Sequence, residues 1–179
     1  MELTQKEADD LLLSEKRIIL ADEVIRSETS HDFLLKQQFP LRERFTLEDD
    51  MKRKYLLNID QSSKNRLKLT LHHQETGTSE GLLRVDYGGK HRNPTNVSAS
   101  VPERLRQYAG EIFSPDTPHI HFFVEGYPGL KWAIPLTCDD FPVKEIREET
   151  EADDVKQSVQ EFAKRIHLLN QILFNARMI

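Results

Sequence analysis

Leu67-Lys68-Leu69-Thr70-Leu71-His72 decides the fold class. Leucines alternate with polar residues, the period-two pattern of a strand with one buried and one wet face. The same alternation recurs on both sides. Residues 54–60 put Tyr55, Leu57 and Ile59 on one face, and residues 42–47 alternate Phe45 and Leu47 with charge. Downstream, residues 82–87 read as a strand closed by Gly88-Gly89. Residues 119–125 place Ile120, Phe122 and Val124 on one face, and residues 130–136 read as a sixth strand. Asp49-Asp50, the polar run 61–65, Gly77 to Gly81 and residues 126–129 supply turns.

Helical patterns lie outside these strands. Thr4 and Glu7 have capping-box spacing. Leu11, Leu12, Ile18, Ile19 and Ile25 then predict a helix through about residue 26, which residues 27–38 extend or follow until Pro40. Near the other end Val155, Val159, Phe162, Ile166, Leu169 and Leu173 are spaced for one face of an amphipathic helix over 152–174. The connection 90–117 is rich in Asn, Pro, Ser and Thr, and 102–113 is read as holding a short helix. The expectation is a single α+β domain over residues 1–179, with an antiparallel sheet of about six strands flanked by an N-terminal and a C-terminal helix.

The chain has 179 residues, 37% hydrophobic and 31% charged, with a mean hydropathy of −0.60. That excludes a disordered chain and a helical membrane protein, since no apolar run approaches the ~20 residues of a spanning helix. The start lacks the basic and apolar runs of a signal peptide, so the cytoplasm is the expected compartment. One cysteine, Cys138, excludes an intrachain disulfide and a multi-cysteine zinc site. Charge is uneven: residues 1–50 carry seven Lys/Arg against thirteen Asp/Glu, residues 51–106 eleven against five, and residues 107–179 seven against twelve. The basic middle holds Lys52, Arg53, Lys54, Lys64, Arg66 and Lys68, candidates to guide a polyanion such as RNA. Solvated strand faces account for the same lysines equally well.

Alternation also gathers the chemistry. Arg84 and Asp86 share the face opposite Leu83, Val85 and Tyr87, and His119 and His121 share the face opposite Ile120 and Phe122. If those strands pair, the four line one polar patch, with His91 and Asn93 entering from the loop after Gly89. Three chemistries fit it. His119 and His121 act as general acid and base on RNA, whose own 2′-hydroxyl is the nucleophile, with Arg84 or Lys131 holding the phosphate and Asp86 orienting an imidazole. Alternatively His91, His119 and His121 ligate a metal, with Asp86 or Glu125 completing the shell. In the third reading nothing is catalysed, and the groups hold the long loop while the surface binds a partner. Trp132 reads as a core anchor and Cys138 as a structural thiol. His72 and His73 fall on opposite faces of one strand, and His31 and His167 read as surface or interface residues. Gly88-Gly89 closes a turn without any phosphate-loop fingerprint.

The run Leu82-Leu83-Arg84-Val85-Asp86, then His91-x-Asn93-Pro94, Pro118-His119-Ile120-His121, Glu125-Gly126-Tyr127 and Lys131-Trp132-Ala133-Ile134-Pro135 resembles a family of small uncharacterised proteins from low-GC Gram-positive bacteria and their phages. The start, Leu3-Thr4-Gln5-x-Glu7-Ala8, is similar as well. A second likeness is to TumE-type toxins of toxin–antitoxin pairs, on Arg84, Asp86, His91, His119 and His121. This chain departs from them in a longer intervening loop and a His-x-His spacing. The resemblance implies a mobile-element or defence-related role; with the one-face constellation and the basic middle, the leading expectation is a toxin-like or phage-defence-related protein acting on RNA, with no cofactor and no membrane. The rival expectation is a non-enzymatic phage or mobile-element protein that binds another macromolecule, an antitoxin or defence component meeting its C-terminal helix. The third is a metal-dependent hydrolase.

Overall fold

The computed structural model describes residues 2–21, 24–26 and 32–175. Its elements in chain order are α1 (Gln5–Leu13), β1 (Lys16–Ala21), β2 (Val24–Arg26), β3 (Asp32–Lys36), β4 (Arg42–Asp49), β5 (Lys54–Gln61), β6 (Leu69–Glu75), β7 (Gly81–Tyr87), β8 (His91–Arg92), α2 (Glu103–Arg106), β9 (Ile112–Phe113), β10 (His119–Val124), β11 (Tyr127–Pro135), α3 (Glu151–Arg165) and β12 (Gln171–Asn175). Seven strands form one antiparallel sheet in the order β1-β4-β5-β6-β7-β10-β11. Two smaller sheets, β12-β3-β2 and β8-β9, complete a mixed α and β architecture. All six expected strands belong to the large sheet. The seventh, β1, comes from a segment whose spacing predicted helix.

Both helix boundaries correct the sequence reading. The capping box forms at the start of α1, with the Glu7 amide donating to Thr4 Oγ1 at 3.1 Å and Thr4 Oγ1 donating to the Glu7 carboxylate. The helix stops at Leu13, because Ser14 turns to an extended backbone and its hydroxyl donates to the Leu11 carbonyl. The β-branched residues that follow then pair with β4, Ile18 opposite Leu47. α3 ends at Arg165 instead of continuing to 174. His167 takes a left-handed φ of 61°, and the Leu168 amide reaches back to the Ala163 carbonyl at 2.9 Å. This is a Schellman-type stop, a job usually given to glycine, so no glycine announced it. Leu169 and Leu173 therefore lie outside the helix and are partly exposed. Residues 22–23 and 27–31, with His31, lie outside the described residues.

One sheet face is the core. Leu57 and Ile59, on the same face of β5 as Tyr55, align through the register with His73 and Leu71, then with Leu83 and Val85, then with Phe122 and Ile120. Full burial of each such apolar side chain stabilises by roughly 1.5–3 kcal/mol. Trp132, fully buried beside Tyr127, is part of it. Ser14, at the end of α1, meets the Tyr55 hydroxyl at 3.0 Å, and Ser158 of α3 meets the Tyr87 hydroxyl at 3.1 Å. Both tyrosines point from this face. The two helices therefore approach the same side of the sheet, and the opposite side is left for polar groups. The apolar stripe of α3 (Val155, Val159, Phe162) and Ile166, just past its end, are buried in this core. No helix is long and apolar enough to cross a membrane among the described residues.

Lys16 closes the edge. It is fully buried, and its ammonium donates to the carbonyls of Leu12, Ser14 and Ile166 at 2.8–3.0 Å. Its backbone accepts from the Leu169 amide at 2.8 Å and donates to the His167 carbonyl at 3.0 Å. The C-terminal turn thus seals the outer edge of β1.

His73 is buried against Tyr55, its Nδ1 on the Leu56 carbonyl, and burial holds its pKa well below the usual imidazole value. Burial and the Arg84 charge pull His72, on the other face, down to about 4. Between about pH 6.5 and 4 the unfolded chain binds protons that the folded chain refuses, so stability falls as pH drops through that window. The cost is up to about 1.4 kcal/mol per pH unit for each such imidazole. Urea unfolding should show a midpoint that declines from pH 6.5 to 4.5. His73→Leu should flatten the decline, and an unchanged slope would refute the assignment.

Candidate active site on the polar sheet face

Register builds a grid on the polar face. Thr70, Asp86 and His119 stand side by side across β6, β7 and β10, and His72, Arg84 and His121 form the next row. The structure therefore brings together Arg84, Asp86, His119 and His121. His91 joins them from β8, its ring centroid 4.5 Å from that of His121 and 5.9 Å from that of His119. Gly88, at a φ of 79°, turns the chain out of β7 toward this position; a side chain there would strain the backbone and crowd Lys68.

Asp86 is the hub. Its Oδ1 accepts from Thr70 Oγ1 at 2.9 Å, and its Oδ2 accepts from Arg84 Nε at 2.8 Å and faces His121 Nε2 at 2.9 Å. Burial alone would raise the Asp86 pKa. The hydrogen bond from His121 and the charge of Arg84 outweigh burial and hold it well below the usual carboxylate range. The other nitrogen of His121, Nδ1, lies 2.9 Å from the Leu130 carbonyl. A carbonyl only accepts, so Nδ1 carries a proton. Leu130 presents its carbonyl from a left-handed backbone, φ 54°, an unusual conformation for a bulky residue.

His119 differs. Its Nδ1 donates to the Thr117 carbonyl at 2.9 Å, which makes Nε2 the lone-pair nitrogen. That atom is buried without a hydrogen-bond partner, 3.7 Å from Asp86 Oδ2. Burial pulls the His119 pKa down to about 4, so the ring is neutral near neutrality. The residue is 0% exposed, so it cannot touch a substrate directly.

The His-x-Asn pair has a second job. Both side chains hydrogen-bond the free edge of β11: His91 Nε2 donates to the Lys131 carbonyl at 2.8 Å, and the Asn93 carboxamide accepts from the Ala133 amide at 2.9 Å and donates to its carbonyl at 2.8 Å. Asn93 also donates to the Tyr108 carbonyl. Two residues two positions apart thus stand in for a neighbouring strand and pin the long connection over the site. His91 keeps Nδ1 as its basic nitrogen, and its pKa is lowered by burial and by His121. It stands apart from the ligand atoms of Asp86, His119 and His121, which lie within 4.8 Å of one another. Glu125, beyond the far end of β10, is not part of that trio.

A cavity of about 350 Å³ opens beside the hub, lined among others by Asp86 and His121, by His72 and His91, and by Arg84, Lys90 and Lys131. Among the described residues no carboxylate pairs with Lys90 or Lys131, and Arg84 commits only Nε. The six basic candidates do not form one stripe. Lys52, Arg53 and Lys54 sit at the β4–β5 turn, where Lys52 and Lys54 pair with Glu48 and Arg53 with Asp49. Lys64, Arg66 and Lys68 sit at the other end of β5, a strand length of roughly 23 Å away, and Arg66 lies over the Phe39 ring. Sequence reasoning missed Thr70, Lys90 and the place of His72. The alternation of β6, continued across the polar face, carried the signal for Thr70 and His72.

Asn93→Ala should destabilise the fold by about 2–4 kcal/mol, since it strands an amide and two carbonyls in a buried place. Hydrogen exchange at the Ala133 amide should accelerate in the same variant. Protection equal to that of the parent would remove the strand-mimic role.

No curated protein and no solved structure matches this chain. A family model described as a family of unknown function, DUF6978, matches residues 3–168. That span takes in every residue of the hub and of the cavity, and the chain is a member of the DUF6978 family.

Proposed function

We propose that the protein acts on RNA, cleaving its phosphodiester backbone at the cavity beside Asp86, in a toxin-like or phage-defence-related role. The observation that carries the reading is the cavity itself. It combines three cations without a committed carboxylate for their outer nitrogens, a neutral imidazole with a free Nδ1, and a second imidazole, His121, backed by the buried Asp86 carboxylate. Cations of this kind hold a phosphate and oppose the charge that grows on its oxygens during attack. Arg84, Lys90 and Lys131 take that role. His91, neutral at physiological pH, accepts the proton of the attacking 2′-hydroxyl at Nδ1, the P–O5′ bond breaks as the 2′-oxygen bonds phosphorus, and the departing 5′-oxygen takes a proton from water in the cavity. Asp86, at the floor, holds His121 and Arg84 in place. His119, sealed behind Asp86, is a positioning residue here and not the proton donor its place in the sequence suggested. Lys64, Arg66 and Lys68 lie at the end of the sheet that also bears Gly88 and Lys90, and they extend the cationic track.

A second reading, a protein that binds a macromolecule without cleaving it, draws on the near-complete burial of Asp86, His119 and His121. Purified protein incubated with RNA and with DNA of the same sequence separates the two. RNA should be cut to fragments ending in 2′,3′-cyclic phosphate while DNA, lacking the nucleophile, stays whole. His91→Gln should slow cutting by about 10²-fold or more, and Lys131→Ala should weaken RNA binding. Retention of intact RNA by parent and His91→Gln alike would leave the binding reading in place and remove the catalytic one.

A further inference from the structure

We infer that Asp86, His119 and His121 form a binding site for one divalent transition-metal ion of the zinc and ferrous-iron class. The inference goes beyond the RNA reading and does not rest on it, because it uses only the buried trio. The first observation is the orphaned nitrogen. His119 is 0% exposed, and its Nε2 lone pair has no hydrogen-bond partner among the described residues. It points toward a carboxylate oxygen 3.7 Å away, an acceptor facing an acceptor. A buried polar atom left this way costs roughly 1–3 kcal/mol unless something positive lies between the two.

The second observation is how the rings are held. Both imidazoles donate Nδ1–H to a backbone carbonyl, His119 to Thr117 and His121 to Leu130, each at 2.9 Å. That is the outer-shell arrangement that fixes a metal-ligating histidine with Nε2 turned to the ion. Both Nε2 atoms converge on the same Asp86 oxygen, at 2.9 and 3.7 Å, and the ion would take the place of the proton that His121 Nε2 shares with Asp86, releasing it to solvent. Donor atoms on a tetrahedron of ~2.0–2.1 Å bonds are about 3.3 Å apart, so the two separations bracket the geometry needed. Asp86 is itself braced by Thr70 on one oxygen and Arg84 on the other, as ligating carboxylates are. Two imidazoles and one carboxylate leave at least one coordination position, and Asp86 and His121 both border the cavity, where a water or a substrate oxygen would enter. The set differs from the His91-His119-His121 trio expected from sequence, because His91 spends Nε2 on the β11 edge.

Full-length protein stripped with chelator and then dialysed should bind Zn²⁺ with one equivalent by calorimetry. Asp86→Asn and His119→Gln, each checked for native circular dichroism, should weaken binding by at least 100-fold. Co²⁺ should give the ligand-field absorption of a low-symmetry four- or five-coordinate ion in the parent only. Should a variant fail to fold, the cobalt spectrum and stoichiometry of the parent still decide. Absence of one tight equivalent in folded parent protein overturns the site. Equal affinity in parent and folded variants also overturns it, by assigning the binding to surface histidines. RNA cutting is not read in this experiment, so failure of the metal site and failure of the RNA reading remain separate.

Discussion

The carboxylate of Asp86 sits nearly out of water on the polar face of a sheet, and the surrounding residues are arranged to keep it charged. A buried anion is costly unless it is paired and fully hydrogen-bonded. Here Thr70 from β6, Arg84 from its own strand and His121 from β10 do that together. The same bonds lock the register of three central strands, because a slip of one residue would turn every partner to the core. His121 in turn fixes the first half of β11 through Leu130, and His91 leans on His121 while it holds the β11 edge. The polar network therefore organises the half of the molecule that the apolar core does not reach.

Much of this was legible in the residues. Period-two alternation placed six strands and assigned Arg84, Asp86, His119 and His121 to a single face, because adjacent strands in an antiparallel sheet present the same side in register. What stayed hidden had specific causes. The helical spacing of Leu11, Leu12, Ile18, Ile19 and Ile25 is as compatible with a short helix and a strand as with one long helix, and only tertiary pairing with β4 decides. The stop at His167 lacks the usual glycine. Strand order was also out of reach, so the split of the basic residues between opposite ends of β5 could not be seen. That His91 and Asn93 brace an edge required knowing which strand is outermost.

The sheet is asymmetric in what it buries. Helices and apolar side chains seal one side, and on the other His91 and Phe113 of the long connection lie against His119 and His121. Histidine suits the boundary, since one ring can satisfy a carbonyl with one nitrogen and keep the other for chemistry. His91, His119 and His121 each follow that rule, anchored respectively to Lys131, Thr117 and Leu130.

The contacts between Lys16 and the turn at 166–169, and the parallel pairing of β12 with β3, join segments more than a hundred residues apart. Synthesis proceeds from the N-terminus, so the outer edge of β1 stays open on the ribosome until residue 169 has cleared the exit tunnel. Until then the nascent chain carries an unprotected strand edge and a lysine destined for burial but still hydrated.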